Sequence, residues 1–223
     1  MRGNKMVKLV AFDLDGTIGE TISMCIQAFV KAVSPYTDRR ISEEEIVRTF
    51  GLNEEGMIKA IAGERWRAAL ADFYAHYRAM HGMCASPFDG IRELIGALKA
   101  RNVLVALVTG KGKESCEITL EQFGMQSYFD CIETGSPEKN RKAEAFIHLL
   151  QKYNLQPDEL VYVGDAVSDV SSCREAGIRC LSAAWASSTD ASRLEECNKG
   201  CVFLTVKAVE EHIMQLVYSA LSA

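Results

Sequence analysis

Four short apolar runs, residues 7–12, 103–108, 160–163 and 178–183, limit the folds open to this chain more than any other feature. They are rich in Val and Leu and do not alternate with polar residues, the pattern of strands buried on both faces. Around them, residues 90–101, 113–123, 141–153 and 167–176 carry apolar side chains at helical spacing. Strand and helix taking turns in this way predict an α/β fold with a doubly wound parallel sheet. Cys131-Ile132 adds a short strand, Val202-Phe203-Leu204 an edge strand, and residues 206–221 a closing helix.

One segment breaks the alternation. Between about residues 21 and 85 there is no strand candidate, only helical patterns over 22–33, 42–49, 54–61 and 64–81. Ser42-Glu43-Glu44-Glu45 reads as a capping box, with Ser42 as N-cap and Glu45 reaching back. So long an all-helical insert is not an ordinary crossover. It predicts a second, smaller all-helical cap domain, residues 20–85, inserted into a core formed by residues 1–19 and 86–223.

Composition narrows the partners. Of 223 residues 48% are apolar and 25% charged, with a net charge of -5, and no basic patch suits nucleic acid. No apolar run approaches a membrane span, and the first residues lead into a strand rather than a signal-peptide core. A cytoplasmic protein is expected. Its eight cysteines are scattered, which favours reduced core thiols over a disulfide scaffold. Cys197 and Cys201 form the one close pair and lack the further ligands a structural zinc needs. Nothing marks an interface, so the oligomeric state stays open.

In open parallel sheets, chemistry collects at the carboxyl ends of the strands, near the point where strand order reverses. Here those ends carry Asp13-Leu14-Asp15-Gly16-Thr17, then Thr109-Gly110-Lys111, then Gly164-Asp165 with Asp169 close behind. Four carboxylates brought together would repel one another without a divalent cation, and oxygen-only ligands point to Mg2+. A carboxylate beside such a cation can act as a nucleophile, and a phosphoryl group suits metal, Lys and backbone amides together. The Gly16-Thr17 and Gly110 turns offer N–H groups for its oxygens. Asp15, two residues on, is placed to give the leaving group a proton and later take one from water.

These residues resemble the four motifs of the haloacid dehalogenase (HAD) superfamily, and the insert is similar to its helical cap of the first type. Phe50-Gly51-Leu52, residues 88–94 and residues 107–111 are similar to the phosphoglycolate phosphatase-like subgroup. The resemblance implies that Asp13 is the nucleophile that becomes an aspartyl-phosphate and also a Mg2+ ligand. It implies that Asp15 is the general acid/base and lends its carbonyl to the metal. Thr109 would bond the phosphoryl oxygens, Asp165 would ligate Mg2+, and Asp169 would support the metal site. The superfamily also needs a Lys between the third strand and the next helix. The usual Lys-Pro signature is absent here, leaving Lys142 and Lys139, and the first-turn position in the helix favours Lys142. Lys111, Lys113, His76, His81 and Trp66 read as solvated or cap-packing residues.

The leading expectation is a Mg2+-dependent phosphatase for a small phosphorylated metabolite. A phosphomutase similar to β-phosphoglucomutase uses the same carboxylates and differs mainly in the cap. A dehalogenase has no need of the acid/base Asp15, and a phosphonatase needs a cap amine such as Lys31 or Lys59. A non-enzymatic phospho-accepting domain would not carry a cap.

Overall fold

Side chains in a strand point alternately to opposite faces, so the apolar runs must feed two separate cores. The computed structural model describes residues 6–218. Six strands, β1 (Leu9–Phe12), β2 (Leu104–Val108), β3 (Cys131–Glu133), β4 (Leu160–Gly164), β5 (Arg179–Ala183) and β6 (Val202–Phe203), form one sheet among the described residues. Its order is β3-β2-β1-β4-β5-β6, and every pairing is parallel. Val10, Phe12, Val105, Leu107, Val161 and Val163 enter one hydrophobic cluster. Their strand neighbours Leu9, Ala11, Ala106, Val108, Leu160 and Tyr162 enter the other. Each fully buried side chain of this size stabilises the fold by roughly 1.5–3 kcal/mol.

Helices close both faces. After an insert of four helices, α1 (Ile22–Val33), α2 (Glu43–Val47), α3 (Glu54–Ala62) and α4 (Trp66–Met80), come α5 (Ile91–Lys99), α6 (Lys113–Gln122), α7 (Lys142–Lys152), α8 (Val167–Ala176), α9 (Ala191–Cys197) and α10 (Val206–Tyr218). Ile91, Leu94 and Leu98 of α5, Leu120 of α6, and Val209 and Ile213 of α10 cover the first face. Phe146 and Leu149 of α7 and Val170 and Cys173 of α8 cover the second. The expected strands and helices are present, shifted by a residue or two at their ends. Gly177 ends α8 with a left-handed φ of 71°, so β5 begins at Arg179 rather than Ile178. Leu204 lies outside β6 and is exposed. The end of the closing helix expected beyond Tyr218 falls outside the described residues. The sequence did not announce α9, because only Leu194 of that helix is buried and there is no apolar stripe to detect.

Helices α1 to α4 form an all-helical cap with its own core, in which Phe29, Met57, Phe73 and Tyr77 are buried. Phe73 stacks on Tyr77 with ring centroids 5.4 Å apart. The capping box at α2 is formed as read, Ser42 Oγ accepting from the Glu45 N–H. Trp66 packs on this core with Lys59 and Arg67 over its ring. Ile118 of α6 joins the cluster and seats the cap on the sheet domain. The chain leaves for the cap just after Ile18 and returns at Phe88, whose N–H donates to the Ile18 carbonyl at 2.9 Å.

Because β1 is central, with β2 and β3 on one side and β4 to β6 on the other, strand order reverses beside it. The crevice at such a switch point is where this architecture binds ligands. It opens beyond the carboxyl ends of β1, β2 and β4, under the cap.

Candidate active site

Asp13 is the first residue past β1. Its N–H donates to the Val163 carbonyl of β4 at 2.9 Å, which locks the backbone and aims the side chain into the crevice. The carboxylate is buried. Oδ2 lies 2.9 Å from the Lys142 ammonium, and Oδ1 has no hydrogen-bond partner among the described residues. Lys142 opens α7, where Asn140 Oδ1 accepts from its N–H at 3.0 Å. Its Nζ also donates to Asp169 Oδ1 at 2.6 Å and to the Tyr162 hydroxyl at 2.9 Å. Tyr162 in turn donates to the Val108 carbonyl at 3.1 Å, tying β4 to β2 beneath the site. Lys139 sits differently: it is exposed and paired with Glu144.

Asp13, Asp165 and Asp169 each place one carboxylate oxygen within 4.8 Å of the others, the one such group of metal-ligating side chains among the described residues. Asp169 is held by the Ala166 N–H on Oδ2 at 3.1 Å, and Thr189 Oγ1 donates to Asp165 Oδ2 at 3.3 Å. Burial pushes the Asp13 carboxyl up to about 7; Lys142 opposes this, and the Asp169 and Asp15 charges add to it. Burial, then the Asp13 and Asp169 charges, raises Asp165 well above the usual carboxylate range. For Lys142 burial alone would lower the pKa, but Asp13 and Asp169 outweigh it and the ammonium is held charged. An orphaned buried oxygen within a cluster of carboxylates fits a small hard cation, and all-oxygen donors fit Mg2+. The cysteine pair at 197 and 201 contributes to no such cluster, and all eight cysteines are free.

The turn after β1 is as tight as the motif suggested, but its parts differ from the sequence expectation. Gly16 has φ 71°, and a Cβ there would lie 2.2 Å from Asp165 Oδ2. Its N–H donates to the Gly19 carbonyl at 2.8 Å, so that amide closes the turn instead of serving a phosphoryl oxygen. Thr17 is fully buried, its Oγ1 without a partner, and its carbonyl accepts from Trp185 Nε1 at 3.1 Å. Thr109, the first residue past β2, is also buried, with Oγ1 accepting from the Lys111 N–H at 3.2 Å. Gly110 lines the crevice and has open space where a Cβ would stand.

Asp15 bonds the Thr21 hydroxyl and lies 3.5 Å from the Lys111 ammonium. Lys111 corrects the sequence reading most sharply. It is not solvated: it is 4% exposed, 3.5 Å from Glu54 Oε1 of the cap and 4.4 Å from the centre of the Tyr77 ring. Glu54, unnoticed in the sequence, is 3% exposed and spans from cap to core. It accepts from the Gly112 N–H at 2.7 Å and the Ser115 hydroxyl at 2.5 Å. Its one signal was an acid at the first position of a helix, which marks ordinary surface helices equally. Lys113 is solvent-exposed as expected, and His81 is a buried packing residue. Its Nδ1 meets the Cys84 carbonyl at 2.9 Å and its Nε2 meets Thr119 Oγ1 at 3.0 Å. Neither Lys31 nor Lys59 lines the crevice, so no cap amine is at hand for a Schiff base.

The crevice holds a cavity of about 170 Å³, lined by Asp13, Asp15, Lys142 and Asp165 on the core and by Ile22, Cys25, Leu52 and Met57 on the cap. Burial pushes the Cys25 thiol up to about 12, against the pull of Lys111, so it lines the cavity as a neutral thiol.

A strand-end aspartate gripped by a buried ammonium, beside a cradle for a hard cation and beneath a helical lid, marks a capped α/β hydrolase. The chain belongs to the haloacid dehalogenase-like hydrolase family, which it matches over residues 10–183. It is 29% identical over 184 residues to a phosphoglycolate phosphatase of Chromobacterium violaceum, covering 78% of this chain and 83% of that one. It is 25% identical over 175 residues to the pyrophosphatase PpaX of Halalkalibacterium halodurans, covering 78% and 81%. Among solved structures it shares its fold with CbbY from Rhodobacter sphaeroides in complex with phosphate. That match has a TM-score of 0.72 at 18% identity and covers 89% of this chain and 94% of that one. Among the described residues no helix is long and apolar enough to cross a membrane.

Proposed function

We propose that the chain is a Mg2+-dependent phosphatase that hydrolyses the phosphate monoester of a small metabolite through an aspartyl-phosphate on Asp13. The observation that carries this is the state of the Asp13 carboxylate: one oxygen is gripped by Lys142 at 2.9 Å, and the other is buried without a partner in a lined cavity. The relatives named phosphoglycolate phosphatase and pyrophosphatase support phosphoryl hydrolysis as the reaction.

In this reading an Asp13 oxygen attacks phosphorus, and the bond from phosphorus to the ester oxygen breaks as the new one forms. Asp15 gives its proton to the departing oxygen. It then takes a proton from the water that attacks the aspartyl-phosphate, releasing phosphate and restoring Asp13. Lys142 holds Asp13 in line and offsets charge on the phosphoryl oxygens. Gly110, which lines the cavity, and the buried Thr17 and Thr109 that follow β1 and β2 would serve those oxygens, and Gly16 contributes the turn that lets Asp165 approach. Asp13, Asp165 and the Asp15 carbonyl would hold Mg2+, with Asp169 supporting them, and the cation would supply charge neutralisation for the phosphoryl group.

The cap, residues 20–85, would exclude water over a core of residues 1–19 and 86–223, a division supported by the separate hydrophobic cluster of α1 to α4. A reducing cytoplasm suits eight free cysteines. The test is Asp13→Asn with a phosphate ester in Mg2+. Turnover should vanish with circular dichroism unchanged, and brief acid-quenched reactions of the wild type should carry a hydroxylamine-labile phosphate that the variant lacks. Turnover retained by the variant would end the covalent mechanism.

A further inference from the structure

The cavity records what leaves with the ester oxygen as well as what happens at phosphorus. Its charged lining consists of four carboxylates, Asp13, Asp15, Glu54 and Asp165, and two ammonium groups, Lys111 and Lys142. Both ammonium groups are already engaged by protein. Lys142 is bound by Asp13 and Asp169 at 2.9 and 2.6 Å. Lys111 lies 3.5 Å from both Asp15 and Glu54, with the Tyr77 ring against it. Glu54 is equally committed, with the Gly112 N–H and the Ser115 hydroxyl on its two oxygens. The remaining cap lining is apolar or weakly polar: Ile22, Cys25, Phe50, Leu52 and Met57. Phe50, 45% exposed, leaves an apolar face at that rim.

A leaving group bearing a carboxylate or a second phosphoryl group would have to give up water in this space. Apart from a Mg2+ held at Asp13 and Asp165 for the transferred phosphoryl group, it would find no cation among the lining side chains that lacks a protein partner, and a desolvated charge without a partner is strongly disfavoured. An ammonium would fare no better: both oxygens of Glu54 are satisfied within the protein, Asp15 is engaged by Thr21 and Lys111, and in the proposed reaction Asp13 and Asp165 serve the phosphoryl group and its cation. From this lining we infer that the substrate is the phosphate ester of a small uncharged alcohol, whose carbon chain packs against the cap residues. Glu54 is then a specificity-determining residue: by neutralising Lys111 it denies a second anion its binding partner. The inference rests on the phosphatase reading above and sets this chain apart from relatives named for phosphoglycolate and pyrophosphate.

The experiment measures kcat/KM in Mg2+ for p-nitrophenyl phosphate, propyl phosphate, glycerol 2-phosphate, phosphoglycolate and pyrophosphate. The neutral alkyl esters should exceed phosphoglycolate and pyrophosphate by on the order of tenfold or more, the discrimination expected from one unpaired charge. Glu54→Gln keeps the shape of the side chain while removing one of the two carboxylates that offset Lys111, and should shift the ratio of phosphoglycolate to propyl phosphate by about threefold or more toward the anion. Phe50→Arg, at a position 45% exposed, should shift it the same way. Turnover of p-nitrophenyl phosphate together with equal or better use of phosphoglycolate or pyrophosphate would overturn the inference and leave the phosphatase reading standing. A ratio unmoved by Glu54→Gln would overturn the part assigned to Glu54. No turnover of any ester would bring down the phosphatase reading and this inference with it.

Discussion

Replacing Lys142 with Met keeps most of the aliphatic stem and removes only the ammonium, which makes three contacts: Asp13 at 2.9 Å, Asp169 at 2.6 Å and the Tyr162 hydroxyl at 2.9 Å. Two buried carboxylates would lose their counter-ion at once. Breaking a buried pair by deleting one partner costs roughly 3–5 kcal/mol, because the other charge is left uncompensated. In the reaction, the loss of one preorganised stabilising group lowers kcat by about 10²–10³. Lys139→Ala is the control: its pairing with Glu144 is exposed, and surface pairs of this kind are worth about 0–1 kcal/mol. Urea unfolding in chelator and kcat/KM on one phosphate ester measure the two effects separately. Mg2+ should restore part of the lost stability, since a cation bound to the folded state offsets the same repulsion, but should not restore the rate. Lys142→Met retaining wild-type kcat/KM, or losing no more than Lys139→Ala, would refute the reasoning.

Three further outcomes are expected. Gly16→Ala forces a left-handed φ of 71° on a residue whose Cβ would stand 2.2 Å from Asp165 Oδ2, so it should cost about 1–3 kcal/mol and abolish turnover; wild-type activity at wild-type stability would contradict the close approach. His81 has its pKa lowered from 6.5, chiefly by burial, so neutral His81 contributes stability above that pH and the contribution is lost as pH falls through the lower folded value. His81→Gln should therefore flatten the acid side of the curve of urea midpoint against pH, and an unchanged slope would remove His81 from the account. Chelation should end turnover and Ca2+ should restore little of it, since Ca2+ takes more oxygen ligands at longer distances than Mg2+; full activity in Ca2+ would argue against a tight octahedral site.

The architecture was legible because burial on two faces writes itself into the strands. The runs at 7–12 and 160–163 contain no charged residue other than Lys8, and that Lys lies outside β1, itself exposed and paired with the buried Glu159. Asp13, Lys142, Asp165 and Asp169 were legible as candidates for a related reason: each follows an apolar run or opens a helix, so local pattern fixes the end of the sheet it occupies. What could not be read was contact between distant segments of the chain. Lys111 looked like any Lys after a turn because its burial depends on Glu54 and Tyr77, contributed by two cap helices that say nothing locally about where they dock. Glu54 was hidden for the converse reason, its partners Gly112 and Ser115 lying across the cap boundary. The amide of Gly16 was misassigned because a glycine in a motif does not reveal whether its N–H is free or spent on closing the turn.

The hydrogen bond between Phe88 N–H and the Ile18 carbonyl means that the chain sets out for the lid and comes back at practically the same point. Everything between those two residues hangs from the sheet like a pendant from a clasp. A different set of helices spliced between them would leave the pairings of β1 with β2 and β4 untouched, along with the carboxylate cradle at their ends. The price would fall on the contacts that Glu54, Tyr77 and Thr21 make with Lys111 and Asp15, since those three residues travel with the lid. On the reading proposed above, chemistry and choice of substrate would be carried by separable lengths of one polypeptide, so a grafted lid that keeps Gly19 and Thr21 should change the ester accepted without rebuilding the reaction.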